Sequence, residues 1–326
     1  MGSNRFRNVG LFFLLALIWG SSFPAIEVGL EALSPLLFAA LRYDIASLVL
    51  FGYALSRGYR SWPAGRAEWG LIVTGGTLVI GLHFALAFVG QTYVTSAIGA
   101  VVLSLVPVLT PAFALVVLDA RLSPPEIGGF VVGLLGVCVV ANPGSGLDGQ
   151  LIGVSLFLLA AICFAVGSVL TVRFDATLPI VTSQAWMTLV GAGVLHLLSA
   201  GFEGSPAAVL GGVPSVEVLV ALVYLAVVAS AAGFLLYFSL VGEIGPSQAS
   251  LVSYITPIVA AVGGWVAFGE PITRTTVVGF CVIAAGFALI ELRPLHGLLT
   301  RRRRHAIARR YADSHTIAVA GNRYYK

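Results

Sequence analysis

Three titratable side chains stand deep inside apolar stretches of this sequence: Arg42, Asp44 and His83. Charge at membrane depth is costly, so such groups pair with a neighbour, face a polar cavity or take part in function. Their spacing of two puts Arg42 and Asp44 on different faces of a helix, so they need not pair with each other. Arg42 has three readings: contact with a substrate, pairing inside the protein, or snorkelling to the nearby interface. His83 suits a proton carrier in a coupled cycle, or a neutral hydrogen-bonded packing residue. His83 and Asp44 are the candidates for coupling. Polar and aromatic residues are spread through other apolar stretches, among them Trp19, Ser22, Ser104, Ser168, Tyr237, Ser253 and Tyr254. Together they could stack against and hydrogen-bond a small organic solute. Taken singly, each also suits packing between helices.

Enzyme signatures are missing. The chain has no phosphate-binding Gly-Lys-Ser/Thr loop, so ATP-driven transport by this chain alone is disfavoured. It has no His-Glu-x-x-His pattern and no nucleophile elbow. Cys138, Cys163 and Cys281 lie in apolar runs without metal-ligand or paired spacing and read as packing residues. No metal and no cofactor is expected.

The elements that must hold these side chains are membrane helices. Of 326 residues 58% are hydrophobic and 10% are charged, against roughly 25% charged in a soluble domain. Spanning a bilayer takes about 20 mostly apolar residues. Ten segments qualify, near 8–28, 35–56, 68–90, 95–118, 124–141, 150–171, 178–200, 216–240, 246–268 and 273–292. They are too long and too uniformly apolar for barrel strands. With the N-terminus inside, the inner side receives Arg5, Arg7, Arg57, Arg60, Arg66, Arg121, Arg173, Arg293 and the run Arg301 to Arg304. The outer side receives Arg274 and the acids Glu27, Glu31, Asp148, Glu203, Glu217 and Glu270. That asymmetry predicts both termini in the cytoplasm. The arginine run suits an anionic membrane leaflet rather than nucleic acid. The first apolar run has no small-residue cleavage site after it and reads as a retained span.

The stretch from Ala97 to Ala141 returns, without a gap, as Ser247 to Glu291. Pro107 meets Pro257, Gly129-Phe130 meets Gly279-Phe280, and Gly136 meets Gly286. The chain therefore divides into 1–142, a linker 143–148, a second half 149–292 and a basic cytoplasmic tail 293–326, read as disordered or lying on the membrane. Five helices per half is odd, so the halves enter the membrane in opposite senses, as an inverted repeat. A proline removes a backbone hydrogen bond and crowds the preceding turn, so Pro107 and Pro257 predict matched kinks that gate a site between the halves. Gly129-x-x-x-Gly133 is a candidate helix contact.

These residues resemble a known family. Ile18-Trp19-Gly20-Ser21-Ser22-Phe23 and Leu41-Arg42-Tyr43 are similar to the first two helices of EamA-domain members of the drug/metabolite transporter superfamily. So is each mid-helix proline with the turn after it: Pro107 with Asp119-Ala120-Arg121-Leu122, and Pro257 with Phe268-Gly269-Glu270-Pro271-Ile272. The first of these turns departs from the family pattern, with Asp119-Ala120 where Gly-Glu is usual. The resemblance spans residues 9–292. It implies ten helices, a central cavity and alternating access for small metabolites; known relatives export amino acids and other metabolites. It also implies a cavity lined by helices one, three, four, six, eight and nine, hence by Trp19, Ser22, His83, Ser104, Ser168, Tyr237, Ser253 and Tyr254.

The reading is thus a carrier in the inner or plasma membrane, exporting a small organic metabolite such as an amino acid. A rival is efflux of hydrophobic or cationic drugs, which needs an acid facing the cavity; Asp44 is the deep one. A remote rival is an intramembrane lipid-modifying enzyme, which needs clustered carboxylates, histidines or a metal set at one interface.

Overall fold

Among the described residues the apolar runs fold into ten helices. A computed structural model of the protein describes residues 2–117, 124–142, 148–204, 214–244, 249–290, 316–319 and 322–325. The turn Asp119-Ala120-Arg121-Leu122-Ser123, the link 143–147 and the cluster Arg301 to Arg304 lie outside the described residues. The helices are α1 (Gly2–Leu30), α2 (Pro35–Ser56), α3 (Arg66–Gln91), α4 (Ser96–Leu103 continuing as Val106–Val117) and α5 (Pro124–Ala141). They continue as α6 (Asp148–Thr171), α7 (Ile180–Phe202), α8 (Val216–Ile244), α9 (Val252–Phe268) and α10 (Arg274–Ile290). Eight contain stretches long and apolar enough to cross a membrane; α9 and α10 are shorter apolar helices. Large apolar side chains point outward, such as Leu197 at 76% exposure and Leu48 at 71%. Such a surface suits lipid, not water.

Interruptions in the helices sit at related places. The middle of α3 widens to a π-helix over Gly75–Leu82, and α8 does so over Tyr224–Ala232. Helix α4 breaks at Ser104 and Leu105, just before Pro107, which then stands in the first turn of the second segment. Pro257, by contrast, lies inside the continuous helix Val252–Phe268. The two prolines match in sequence, but the backbone around them differs.

Small residues set the close crossings. A Cβ on Gly286 would come within 2.6 Å of the Gly129 carbonyl oxygen, and one on Gly279 within 2.9 Å of the Gly136 carbonyl oxygen. Helices α5 and α10 therefore cross backbone to backbone and antiparallel, Gly129 beside Gly286 and Gly136 beside Gly279. The backbone of Gly133 also lies against Gly286, while its open face packs on Leu105 and Val108 of α4, so the Gly129-x-x-x-Gly133 pair serves contacts within the chain. Gly20 of α1 has the same role, since a Cβ there would lie 2.9 Å from the Thr256 carbonyl oxygen of α9.

Each end of the bundle is tied by polar contacts. At one end Arg7 donates to Glu243 at 2.7 Å, and Arg60 pairs with Glu68, which also accepts from the Ala64 N–H at 2.7 Å. There the indole N–H of Trp186 donates to the Ser61 carbonyl at 2.8 Å, and Trp62 stacks edge-on against Trp186, as interfacial tryptophans do. At the other end Glu203, beyond α7, accepts from the Leu36 and Leu37 N–H groups at 2.7 and 3.0 Å. It thereby caps the N-terminus of α2, where a negative charge is favoured. In the tail, Thr316–Val319 pairs antiparallel with Asn322–Tyr325, Val319 opposite Asn322. The sequence predicts a disordered or surface-bound tail; the β-branched and aromatic residues of these two segments suit paired strands instead.

Candidate functional site

A cavity of about 770 Å³ lies inside the bundle, within the usual range of small-molecule sites. Trp19, Ser22, His83, Ser104, Ser168, Tyr237 and Ser253 all line it, and so do Arg42 and Pro107. Tyr254 does not; its ring lies against Phe287 at 4.6 Å. Nor does Asp44, whose carboxylate meets His196 Nε2 at 2.7 Å, both side chains about 40% exposed. Pro257 is buried away from the cavity. Helices α2, α7 and α10 add to the expected lining, through Arg42, through Ser183, Gln184 and Met187, and through Phe287 and Ile290.

The π-helical segments place several of these groups. Trp19 donates its indole N–H to the Ala229 carbonyl at 3.2 Å, inside the π segment of α8, and its ring lies 5.4 Å from Tyr237. Gly233, just beyond that segment, leaves room for the indole: a Cβ there would lie 2.8 Å from Trp19 Nε1. In the same π segment Ser230 accepts from Arg42 Nε at 2.9 Å. His83 follows the π segment of α3, and its Nδ1 lies 2.9 Å from the Ala160 carbonyl oxygen of α6. A carbonyl only accepts, so Nδ1 carries the proton and the ring bridges α3 to α6. Phe84 and Phe164 flank the imidazole at 4.5 and 5.1 Å. Ser22 and Ser104 donate to carbonyls of their own helices, Trp19 and Val101, both at 2.6 Å. Their oxygens keep free lone pairs to accept from a solute.

The cavity extends to the α6–α7 turn, where Thr171, Ala176, Leu178 and Ile180 line it. That is the end carrying Arg60 and its partner Thr177. Gln91 lines the opposite end and also borders a separate pocket containing Glu27 and Glu270. The Gln91 amide donates to the Phe23 carbonyl at 3.0 Å and to Ser96 Oγ at 3.3 Å. Glu270 accepts from the Ser96 N–H at 3.1 Å and from its hydroxyl at 3.2 Å. The backbone of the Gly269-Glu270 turn explains this reach. Gly269 has φ of +68° and ends α9 in a left-handed cap, its N–H donating to the Trp265 carbonyl at 3.0 Å. That reversal turns Glu270 back over Gly264, which has no side chain in its way, onto the N-terminus of α4. The seal thus joins α1, α3, α4 and the α9–α10 turn. The Glu270 motif was visible in the sequence, but nothing there pointed to Ser96 as its partner or to Gln91 as the partner of Ser96.

The comparisons with known proteins agree with this architecture. The family profile described as "EamA-like transporter family" matches twice, over residues 7–142 and 151–292. The chain belongs to the EamA-like transporter family. It is accordingly a multi-pass membrane transporter. One relative, the "Uncharacterized inner membrane transporter YedA" of Escherichia coli strain K12, is 29% identical over 88% of this chain and 93% of its own length. The "Probable amino-acid metabolite efflux pump" of Salmonella typhimurium is 26% identical over 85% of this chain and 92% of its own. A solved crystal structure aligns with a TM-score of 0.60 at 21% identity, covering 87% of this EamA-like transporter and 96% of that chain. It shows a shared fold.

Proposed function

We propose that this EamA-like transporter exports small organic metabolites, amino acids among them, across the inner or plasma membrane by alternating access. The observation that carries the reading is the cavity, which reaches the arginine-rich end at Thr171, Ala176 and Leu178, while Gln91 at its acidic end is tied through Ser96 to Glu270. The positive-inside rule assigns the arginine-rich end to the cytoplasm, so the cavity loads from inside with both termini there. The name of the Salmonella relative, a probable amino-acid metabolite efflux pump, supports export of amino-acid metabolites.

An inverted repeat provides the movement. Gly129 and Gly136 match Gly279 and Gly286 in sequence. A two-fold exchange of the halves maps the Gly129–Gly286 contact onto Gly279–Gly136, the other contact in the crossing. The α5–α10 crossing thus supports a pseudo-two-fold axis about which the halves rock. The π segments of α3 and α8 correspond as well. Both spans carry a break near the proline, at Ser104–Leu105 before Pro107 and at Leu251 before Pro257.

Asp44 lies off the cavity, which removes the acid that cationic drug efflux would need. The first test is counterflow in proteoliposomes preloaded with pooled amino acids. Preload-dependent uptake of one or a few labelled amino acids is expected; none from folded, inserted protein would overturn the amino-acid reading. For coupling, His83 is the candidate that the cavity reaches. His83→Ala is expected to abolish accumulation driven by a proton gradient and to leave exchange intact. Undiminished accumulation would reduce His83 to its bridging role.

A further inference from the structure

We propose that Arg42 is the anion-recognising residue of the cavity, and that the solute is a carboxylate with an aromatic or large apolar body whose amino group is dispensable. This rests on the transport reading above and narrows its substrate.

Arg42 stands seven residues into α2 from Pro35, about 10 Å along the axis. It is 4% exposed, yet it borders the cavity. A guanidinium keeps its charge at physiological pH. Among the described residues no carboxylate pairs with it; the ion pairs are Arg7–Glu243, Arg60–Glu68 and His196–Asp44. Its one hydrogen bond is from Nε to Ser230, and Nη1 has no partner. The Phe84 and Phe88 rings lie 5.1 and 5.8 Å from its central carbon, a contact that offsets part of the burial cost. A buried charge with unfilled donors is a costly arrangement to maintain without a partner. The fork geometry of the guanidinium matches a carboxylate, which fills two donors at once.

The surroundings decide the rest of the solute. No Asp or Glu occurs among the described residues that line the cavity, so no carboxylate there pairs with an ammonium group. Trp19, Phe84, Phe88, Phe164 and Tyr237 instead offer aromatic surface to an apolar body. The carboxylate thus supplies the recognised charge.

The test uses the full-length protein purified in detergent, with three probes of one shape series. These are phenylalanine, 3-phenylpropionate (carboxylate only) and phenethylamine (amine only). Ligand-induced thermal stabilisation reports binding, and counterflow in proteoliposomes reports transport. Phenylalanine and 3-phenylpropionate are expected to bind, phenethylamine at least tenfold more weakly. Arg42→Gln should weaken 3-phenylpropionate at least tenfold, and Arg42→Lys less. The probe series needs no variant, so it decides the matter even if Arg42→Gln does not fold. Phenethylamine binding as tightly as 3-phenylpropionate, or a folded Arg42→Gln protein binding 3-phenylpropionate unchanged, would overturn the proposal. If 3-phenylpropionate binds in neutral lipid but is displaced by anionic lipid at trace levels, the anion held is a lipid phosphate, and the solute assignment fails. Binding of 3-phenylpropionate without counterflow of any solute would refute transport and leave the assignment of Arg42 standing.

Discussion

Replacing Glu270 by alanine is expected to unseal the acidic end of the bundle. The carboxylate accepts from both the N–H and the hydroxyl of Ser96 at the start of α4. Loss of an N-terminal cap costs about 0.5–2 kcal/mol, and a hydrogen bond to a charged group is worth about 1.5–3 kcal/mol. A bias of about 1.4 kcal/mol already moves a two-state equilibrium tenfold. The readout is a cysteine placed at Ile98, which borders the acidic-end pocket and is 6% exposed. The background lacks Cys138, Cys163 and Cys281. A membrane-impermeant maleimide added from the acidic side should label the Glu270→Ala protein about tenfold faster than the parent. Glu270→Gln, which keeps one acceptor oxygen, should fall between. Equal labelling rates with equal melting temperatures would mean that the contact with Ser96 does not hold that end closed.

The second large effect concerns stability. Gly286→Ala puts a Cβ 2.6 Å from the Gly129 carbonyl oxygen and 2.8 Å from the Gly133 nitrogen. Backbone atoms cannot swing aside as a side chain can, so α5 and α10 must separate. Overpacking of this kind costs about 1–3 kcal/mol. The neighbouring Gly128 is the control, because nothing lies within 4 Å of a Cβ built there. Gly128→Ala should hold or raise the melting temperature in detergent, by up to about 1 kcal/mol of helix propensity. Gly129→Ala and Gly286→Ala should each lower it. Together they should cost less than their sum, since one separation of the helices relieves both. If Gly128→Ala and Gly286→Ala behave alike, the α5–α10 crossing is looser than the glycines imply.

The ten helices were legible in the sequence because hydrocarbon imposes one rule on every span. About 20 apolar residues must close their own backbone hydrogen bonds, wherever the helix packs. The duplicated register of Pro107 with Pro257 and of Gly136 with Gly286 was legible because it needs no three-dimensional information. Seven of the eight residues that the family resemblance implied as lining, from Trp19 to Ser253, do line the cavity.

Which face of each helix turns inward was not legible, and several assignments turned on it. Arg42 and Asp44 are two residues apart on one helix, yet Arg42 borders the cavity and Asp44 meets His196 on a half-exposed face. Serine 253 lines the cavity, while its neighbour Tyr254 packs on Phe287. In a chain this uniformly apolar, lipid and protein interior are almost the same solvent, so hydrophobicity carries little directional signal. Steric fit decides instead: Gly129 against Gly286, Gly20 against Thr256, and Trp19 into the space left by Gly233. The seal is a clearer case still, for Ser96 and Glu270 stand far apart in the chain and meet only because Gly269 reverses the backbone after α9. Amino-acid types and spacing alone thus determined that this chain is a multi-pass, all-helical membrane protein with two matching halves. The tertiary structure alone decided which polar groups face the cavity and which hold it shut, because those choices are made by contacts between distant helices.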